Sequence, residues 1–245
     1  MKANDPVAAY FDKHPETHKR QFQERASGAN FNFQQRLVFA CELGGASSGR
    51  LLDCAAGTGE ITCALLKSGR FTHATIVDIS AEMLRSAKDL LTSQIKNAEV
   101  EFVQADVFNF KPSDGRFDLI LCLGLIAHTG RLDILLPHLK PMLTPGGRII
   151  LQTTLIDHFG MRIVRALSSR RELVQRGYRI SWFSEGEIAD SCGTAGLQIL
   201  QKRQHGLGIP FGDRVWPSVN FQLEKRLQEW SRRHGADAIY LLAAK

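Results

Sequence analysis

The sequence predicts an α/β fold: a doubly wound, mostly parallel sheet of seven strands of the Rossmann-like type, with N-terminal helices and a late helical insert as cover. Between Arg50 and Thr154, short β-rich apolar runs alternate with amphipathic stretches, the pattern that right-handed crossovers between parallel strands produce. Pro145-Gly146-Gly147 supplies a turn just before the last of these runs. A chain of 245 residues can bury a full core, so we expect a single domain spanning residues 1–245.

The central region, residues 50–154, contains five predicted strands and the helices between them. The strand runs are short and apolar, whereas the helical runs repeat apolar residues every three to four positions. The predicted strands are residues 50–55, 73–78, 100–104, 117–123 and 147–153, and the predicted helices are residues 60–67, 81–92 and 131–142.

The flanking regions, residues 1–49 and 155–245, are expected to complete and cover this sheet. Ahead of the core we expect two helices that cap the carboxyl edge, at residues 15–26 and 31–43. After it we expect an arginine-rich stretch, a helix and two strands, at residues 162–179, 185–195, 197–203 and 238–243. The interval 205–235 is longer than a hairpin requires and contains a helical run at 219–233, so we interpret it as an inserted cover on the substrate side.

Composition disfavours several classes of protein. Hydrophobic residues make up 44% and charged residues 23%, which is usual for a globular domain, and no apolar run approaches the roughly 20 residues of a membrane span. The N-terminus lacks the apolar stretch of a secretory signal, and the five cysteines include no C-x-x-C pair. We therefore expect a cytoplasmic protein with no membrane partner, disulfide framework or metal site. The net charge of +6 permits an anionic or carrier-bound substrate.

The most specific signal lies between Leu51 and Glu60. An apolar strand runs into a turn of small residues, Asp53-Cys54-Ala55-Ala56-Gly57-Thr58-Gly59, and then into a helix. Glycine in such a turn lets a ligand approach the backbone and tolerates unusual dihedral angles. In open α/β sheets this loop lies at the carboxyl ends of the strands, where ligands bind. Dinucleotide binding is the competing interpretation, but Thr62 stands where its G-x-G-x-x-G/A motif needs a small residue.

This turn resembles the first motif of the class I S-adenosylmethionine-dependent methyltransferases, an acidic residue followed by G-x-G-x-G. The motif here is Asp53, Ala55, Gly57 and Gly59, with alanine in place of the first glycine. The resemblance implies that Asp53 and the loop amides hold the methionine end of S-adenosyl-L-methionine, with S-adenosyl-L-homocysteine as the product. It covers residues 50–154 well, the final strands weakly and the N-terminal helices hardly at all. Capping of the following turn is the alternative role for Asp53.

Three further strand ends extend the resemblance. It implies that the acidic residue after the second strand binds the ribose hydroxyls, that the one after the third strand meets the adenine amino group, and that the fourth strand ends facing the transferable methyl. The cofactor-binding residues so implied are Asp78, Ile79 and Met83, then Asp106 and Val107, then Leu123. The alternatives are helix capping for the two acidic residues and simple helix packing for the methionine.

His128 is the candidate catalytic residue. Methyl transfer from a sulfonium is an in-line displacement that depends mainly on alignment, so a base is needed only when the nucleophile arrives protonated. Imidazole titrates near neutrality, and the loop after the fourth strand is expected to border the substrate. The alternative is a histidine hydrogen-bonded at a helix start. Tyr10 is a candidate for closing over the cofactor, against the alternative of an ordinary surface residue.

The sequence favours O- or C-methylation of a small molecule, with N-methylation left open, because long covers imply an enclosed pocket. Four aromatic residues near the supposed cover form either an apolar substrate pocket or part of the core: Trp182, Phe183, Phe211 and Trp216. RNA or protein methylation through the basic surface is the first alternative, although the fourth strand lacks the motif that grips a flipped base. A catalytically idle interaction protein is the second alternative, and the oligomeric state is left open.

Overall fold

The computed structural model describes residues 5–13, 25–113, 115–167, 177–178 and 180–245. Within them seven strands form one sheet: β1 (Gly49–Cys54), β2 (Phe71–Asp78), β3 (Glu99–Gln104), β4 (Phe117–Leu123), β5 (Leu143–Thr154), β6 (Leu197–His205) and β7 (Asp237–Ala244). Their spatial order is β3-β2-β1-β4-β5-β7-β6; β7 is antiparallel to both neighbours, and the other pairs are parallel. The predicted doubly wound, mostly parallel sheet is confirmed.

Helices lie on both faces of this sheet. In the described residues they are α1 (Pro6–Lys13), α2 (Gly28–Gly44), α3 (Glu60–Lys67), α4 (Ala81–Gln94), α5 (Leu125–Thr129), α6 (Leu132–Leu139), α7 (Phe159–Leu167), α8 (Glu185–Thr194), α9 (Gly212–Val215), α10 (Pro217–Arg226) and α11 (Gln228–His234). A 3₁₀ turn, Lys140–Met142, follows α6.

The central strand β4 shows why the sheet is covered on both sides. Ile120 and Cys122 belong to the hydrophobic cluster on one face, whereas Leu119 and Leu121 belong to the cluster on the other. Successive side chains of a strand point to opposite faces, so an uninterrupted apolar run needs packing partners on both. The strand order reverses between β1 and β4, and a crevice at their carboxyl ends is the usual ligand site of such a sheet.

The late insert, defined here as residues 206–236, joins β6 to β7 at this same carboxyl edge. His205 pairs with Asp237 across the β6–β7 ladder, and Asp237 pairs with Thr154 at the carboxyl end of β5. Its helix α10 packs against α2, and α11 packs against β6. The carboxylate of Asp213 accepts hydrogen bonds from the Gly28 and Ala29 amides, at 2.6 and 2.7 Å, so the insert holds the N-terminus of α2.

Several element boundaries differ from the prediction. Helix α1 was not predicted; Asp5 caps it through the Val7 amide at 2.8 Å, and Pro6 opens it. The helix predicted at residues 15–26 falls mainly on residues 14–24, outside the described residues, and its last two residues are not helical. The predicted single helix at 219–233 is wrong: α10 and α11 are separated at Leu227, whose ψ of 19° departs from helical geometry.

Among the described residues no helix combines the length and apolarity that crossing a membrane requires. In the same residues no group of three or more histidine, cysteine or acidic side chains is placed to hold a metal ion. Of the predicted arginine-rich stretch, α7 contains the first part, while residues 168–176 and 179 lie outside the described residues.

Candidate active site

A cavity of about 450 Å³ opens at the carboxyl ends of β1, β2, β4 and β5 and is closed on its far side by α1 and α2. This volume is in the range usual for small-molecule sites, roughly 300–1,000 Å³. Ten of the twelve residues singled out from the sequence line it: Asp53, Ala55, Gly57, Asp78, Ile79, Met83, Asp106, Val107, Leu123 and His128. The other two, Gly59 and Tyr10, are not among its lining residues.

The two glycines of the turn between β1 and α3 have different roles. Gly57 has a φ of +57°, and a Cβ added to it would meet nothing within 4 Å, so its backbone faces open cavity. Gly59 has a φ of +84°, and its Cβ would lie 3.0 Å from the Ala87 Cβ on α4. Close packing of α3 against α4, rather than approach of a ligand, therefore accounts for Gly59. Ala55 also has a positive φ of 65°, which costs a residue with a Cβ about 1 kcal/mol.

Two buried carboxyl groups, on Asp53 and Asp78, lie beside this turn. Asp53 accepts a hydrogen bond from the Thr62 hydroxyl, and burial raises the pKa of Asp53 to about 7, with Thr62 acting in the opposite direction. Asp78 accepts from the Gly57 amide at 3.1 Å and from the Ser80 amide at 2.9 Å. Burial raises the pKa of Asp78 to about 6, against these backbone hydrogen bonds. Both groups would be stabilised as carboxylates by a cationic or hydroxyl-bearing ligand.

Helix capping was the alternative role for Asp78 and Asp106, and the structure gives a different result for each. Helix α4 is capped by the Ser80 hydroxyl, which accepts from the Met83 amide at 3.2 Å, so Asp78 is not its cap. Asp106 does act locally, because its carboxylate accepts from the Phe108 amide at 3.0 Å while it also lines the cavity. Met83 is 1% exposed and reaches both the core and the cavity wall.

An aromatic cluster surrounds His128, which lies on α5 directly after β4. Its Nδ1 is 3.1 Å from the Tyr178 hydroxyl, a hydrogen bond whose donor depends on the ring tautomer. The Phe11 ring of α1 meets the imidazole edge-on at 5.2 Å between centroids. Tyr10 contacts Phe11 and Tyr178 edge-on, at 5.3 and 5.9 Å. Tyr10 thus belongs to the cluster around His128, on the outer side of the lining residues.

Sequence reasoning missed the polar residues at the far end of the cavity. Arg36 of α2 and Gln152 of β5 both line it, and the buried Arg36 Nε and Gln152 Oε1 have no hydrogen-bond partner among the described residues. Burial lowers the pKa of Arg36, and the nearby Asp237 carboxylate opposes that shift. The Gln152 amide donates to Asp237 at 3.3 Å. The rule that parallel strands meet at one edge would have pointed to Gln152, whereas nothing in the sequence points to Arg36.

Of the two alternatives for the four aromatic residues near the late insert, an apolar pocket or core packing, the described residues do not support the pocket. None of Trp182, Phe183, Phe211 and Trp216 lines the cavity. Phe183 packs against the core cluster, and Trp216 is 67% exposed. The late insert covers α2 and β6 instead, so the aromatic residues that border the cavity come from elsewhere: Phe11, Phe33 and Phe108.

Residues 51–147 match the family model described as a methyltransferase domain. Ubiquinone/menaquinone biosynthesis C-methyltransferase UbiE of Pseudomonas savastanoi is 37% identical over 115 residues, and that of Stutzerimonas stutzeri is 36% identical over 115 residues. Each alignment covers 46% of this chain, and the chain spans only 44% of the length of these relatives.

Solved structures extend the likeness to the whole fold. Magnesium protoporphyrin IX methyltransferase from Synechocystis superposes with a TM-score of 0.67 at 16% identity, covering 98% of both chains. The [4+2]-cyclase SpnF gives a TM-score of 0.67 at 16% identity, covering 97% of this chain and 95% of its own. At such identities the likeness establishes the fold alone. Residues 51–147 therefore match a methyltransferase domain, and the whole chain has the fold of these solved structures.

Proposed function

We propose that the protein transfers the methyl group of S-adenosyl-L-methionine to an oxygen or carbon atom of a small molecule, with nitrogen as a further acceptor. One observation carries this proposal: a single cavity brings Asp53, Gly57 and Asp78 together with His128. The relatives named as C-methyltransferases of ubiquinone/menaquinone biosynthesis agree with a small-molecule acceptor. Cytoplasmic localisation stays a prediction from the sequence.

The lining residues fit S-adenosyl-L-methionine. The open backbone at Gly57 leaves room where a Cβ would intrude, and the buried Asp78 carboxyl is placed to accept hydrogen bonds from vicinal hydroxyls. Asp53 supplies a second acceptor for an ammonium group. When bound, the sulfonium supplies an electrophilic methyl and its own leaving group.

Arg36 completes the complementarity to a zwitterionic ligand. Its Nη1 lies 3.4 Å from the position that a Cβ on Gly124 would occupy, so the guanidinium reaches the carboxyl end of β4. Leaving a buried guanidinium Nε without a partner is costly, and a bound carboxylate would remove that cost. We assign to Arg36 the carboxylate at the methionine end of the cofactor.

His128 is proposed as the general base, with Tyr178 as its positioning residue. For His128 Nε2 to accept a proton, Nδ1 must carry the hydrogen, and it then donates to the Tyr178 oxygen 3.1 Å away. The same hydrogen bond favours the imidazolium that forms when the substrate loses its proton. Phe11 packs against the imidazole and Tyr10 packs against Phe11, an apolar surrounding that favours a nucleophile held away from water.

The test begins with binding and continues with turnover. Isothermal titration with S-adenosyl-L-homocysteine should give saturable binding that Asp78→Ala weakens at least about tenfold, because a buried hydrogen-bonding acceptor is lost. Asp89→Ala, which removes an exposed carboxyl from α4, is the matched control and should bind normally. Formation of S-adenosyl-L-homocysteine with a panel of phenols, enols and carboxylates then tests catalysis.

Each alternative gives a different result in these assays. Failure to bind the product, or equal binding by Asp78→Ala, would refute the assignment. Binding without turnover on any small molecule, combined with salt-sensitive binding and methylation of RNA, would favour a nucleic-acid substrate. Binding without turnover on any acceptor would favour an interaction protein.

A further inference from the structure

The late insert carries its apolar side chains on the outside. Trp216 is 67% exposed and Trp230 is 50% exposed, and three aliphatic side chains between them are exposed as well. Together these residues recur every three to four positions along α10, the Leu227 break and α11: Trp216, Val219, Leu223, Leu227 and Trp230. At helical spacing they form one stripe, called here the apolar stripe.

The inward side of the same helices is polar. Asn220, Glu224 and Ser231 are buried, and each makes a hydrogen bond within the protein. Asn220 donates to Asp213 at 2.7 Å, and Glu224 accepts from the Leu207 amide at 2.9 Å. A surface helix of a globular protein normally has the opposite arrangement, with its apolar face against the core. Packing among the residues that the structure describes therefore does not account for the apolar stripe.

The charge around the apolar stripe is positive. The basic side chains of the insert are exposed: Arg214, Lys225, Arg226, Arg232 and Arg233. Of its three acidic residues, Asp213 is engaged with the N-terminus of α2, and Glu224 is buried. Only Glu229 remains exposed, and it pairs with Arg232 at 3.1 Å. The outer surface of the insert thus combines tryptophan and aliphatic side chains with a net positive charge.

A second helix at the same edge of the sheet has the same character. Helix α7 follows the carboxyl end of β5 and exposes Phe159 and Leu167 together with Arg162 and Arg165. It packs directly on the insert, because a Cβ on its Gly160 would lie 2.0 Å from a backbone oxygen of the loop before α9. The cavity opens at this edge too, as the strands that line it end there.

We propose that α7 and the late insert dock the protein on an anionic lipid surface, with the apolar stripe in the interface and the basic side chains on the headgroups. Helices with apolar and basic faces bind in the plane of a membrane in this way, and tryptophan favours the interfacial region. The proposal departs from the sequence expectation of no membrane partner, which rested on the lack of an apolar run long enough to span a bilayer. A second copy of the chain is a poorer occupant, because five exposed cations would face five others across a symmetric contact.

Vesicle binding tests the proposal without reference to methyl transfer. The full chain should sediment with vesicles of phosphatidylcholine and phosphatidylglycerol, less with phosphatidylcholine alone, and less again at high salt. Two of the three tryptophans are Trp216 and Trp230, so their emission should shift to shorter wavelength on binding. Absence of sedimentation with anionic vesicles at low salt would overturn the proposal.

Two double variants separate the electrostatic contribution to vesicle binding from the apolar contribution. Lys225→Gln with Arg226→Gln should weaken binding about fivefold per charge removed. Trp216→Ser with Leu223→Asn should weaken it at least about tenfold. Ile134→Asn, which changes a comparably exposed apolar residue on α6, should bind vesicles like the parent protein.

If all three variants still bind S-adenosyl-L-homocysteine, their fold is intact. If the parent protein itself does not bind S-adenosyl-L-homocysteine, that result counts against the proposed function and not against the docking surface. Vesicle binding that is indifferent to the first two variants overturns the docking surface. The proposal is also overturned if the parent protein does not bind vesicles but forms a concentration-dependent dimer, or a complex with an acidic protein, and the Trp216→Ser and Leu223→Asn changes abolish that association.

Discussion

Binding of the methyl-transfer product should depend on the ionisation of Asp53. Burial raises the pKa of Asp53 to about 7, and burial raises the pKa of Asp78 to about 6. S-Adenosyl-L-homocysteine carries an ammonium group, which favours the carboxylate form of a neighbouring acid. The ligand should therefore bind the deprotonated protein more tightly, and its dissociation constant should fall as the pH rises through these values.

The two pKa values set the size of the effect. When only the ionised form binds, the observed dissociation constant is the intrinsic one divided by the ionised fraction. A carboxyl group with a pKa of about 7 is about nine-tenths ionised at pH 8 and about one-tenth ionised at pH 6, so Asp53 should weaken binding about tenfold over that interval. Asp78 should add about a further factor of two.

Isothermal titration at pH 6, 7 and 8, in buffers that differ in ionisation enthalpy, measures both the affinity and the protons released. Asp53→Asn should reduce the pH dependence from about twentyfold to about twofold, because only Asp78 still titrates in this range. Asp89→Asn, an exposed carboxyl on α4, should leave the full dependence in place. An affinity that does not change between pH 6 and 8, or an Asp53→Asn variant that retains the tenfold component, would refute the reasoning.

Three further measurements follow from the geometry. Gly57→Ala and Gly59→Ala should each lower the free energy of unfolding by about 1 kcal/mol, because both residues have a positive φ. Gly59→Ala should lower it by about a further 1–3 kcal/mol, because its Cβ would press on Ala87, whereas Gly57→Ala should weaken binding of S-adenosyl-L-homocysteine more. Equal effects of the two variants on both properties would contradict this division. Tyr178→Phe should lower kcat about tenfold, shift the acid limb of the pH–rate profile and leave the KM for the methyl donor nearly unchanged, whereas equal changes in kcat and KM would argue for a merely structural tyrosine. The ligand-free protein should melt at a lower temperature at pH 8 than at pH 6.5. Burial raises the pKa of Asp53, Asp78 and Glu224, so the folded state holds more protons at these carboxyls and loses stability as the pH rises through about 7. Burial lowers the pKa of His158 and His205, whose opposite effect falls mainly below pH 6.5, so a Tm that increases from pH 6.5 to 8 would show that the three carboxyls ionise freely when folded.

The sheet and the part of the cavity beside the glycine turn were predictable because their signals are local in sequence. Apolar runs such as β4 report burial on both faces, and strand ends such as Asp53 and Asp78 converge because parallel strands share one edge. The glycine turn was read correctly as a turn, but the contact of Gly59 with Ala87 depends on how α3 and α4 pack.

The rest of the cavity and the role of the insert could not be predicted from local sequence signals. Arg36 reaches the cavity only because α2 crosses its far end, and the periodicity of α2 does not identify which polar residue faces inward. The insert was expected to cover the substrate, since apolar residues at helical spacing ordinarily mark a buried face. In the insert the buried face contains Asn220 and Glu224, and the apolar residues at helical spacing lie on the exposed face.

The two short hydrogen bonds from Gly28 and Ala29 to Asp213 give the insert a mechanical connection to the cavity. Arg36 lies about 12 Å further along the same rigid helix, at a rise of about 1.5 Å per residue. Helix α2 therefore joins the insert to the guanidinium that lines the cavity from this helix. Asp213→Asn would weaken the two hydrogen bonds between the insert and the N-terminus of α2 without changing the exposed apolar and basic side chains of the insert.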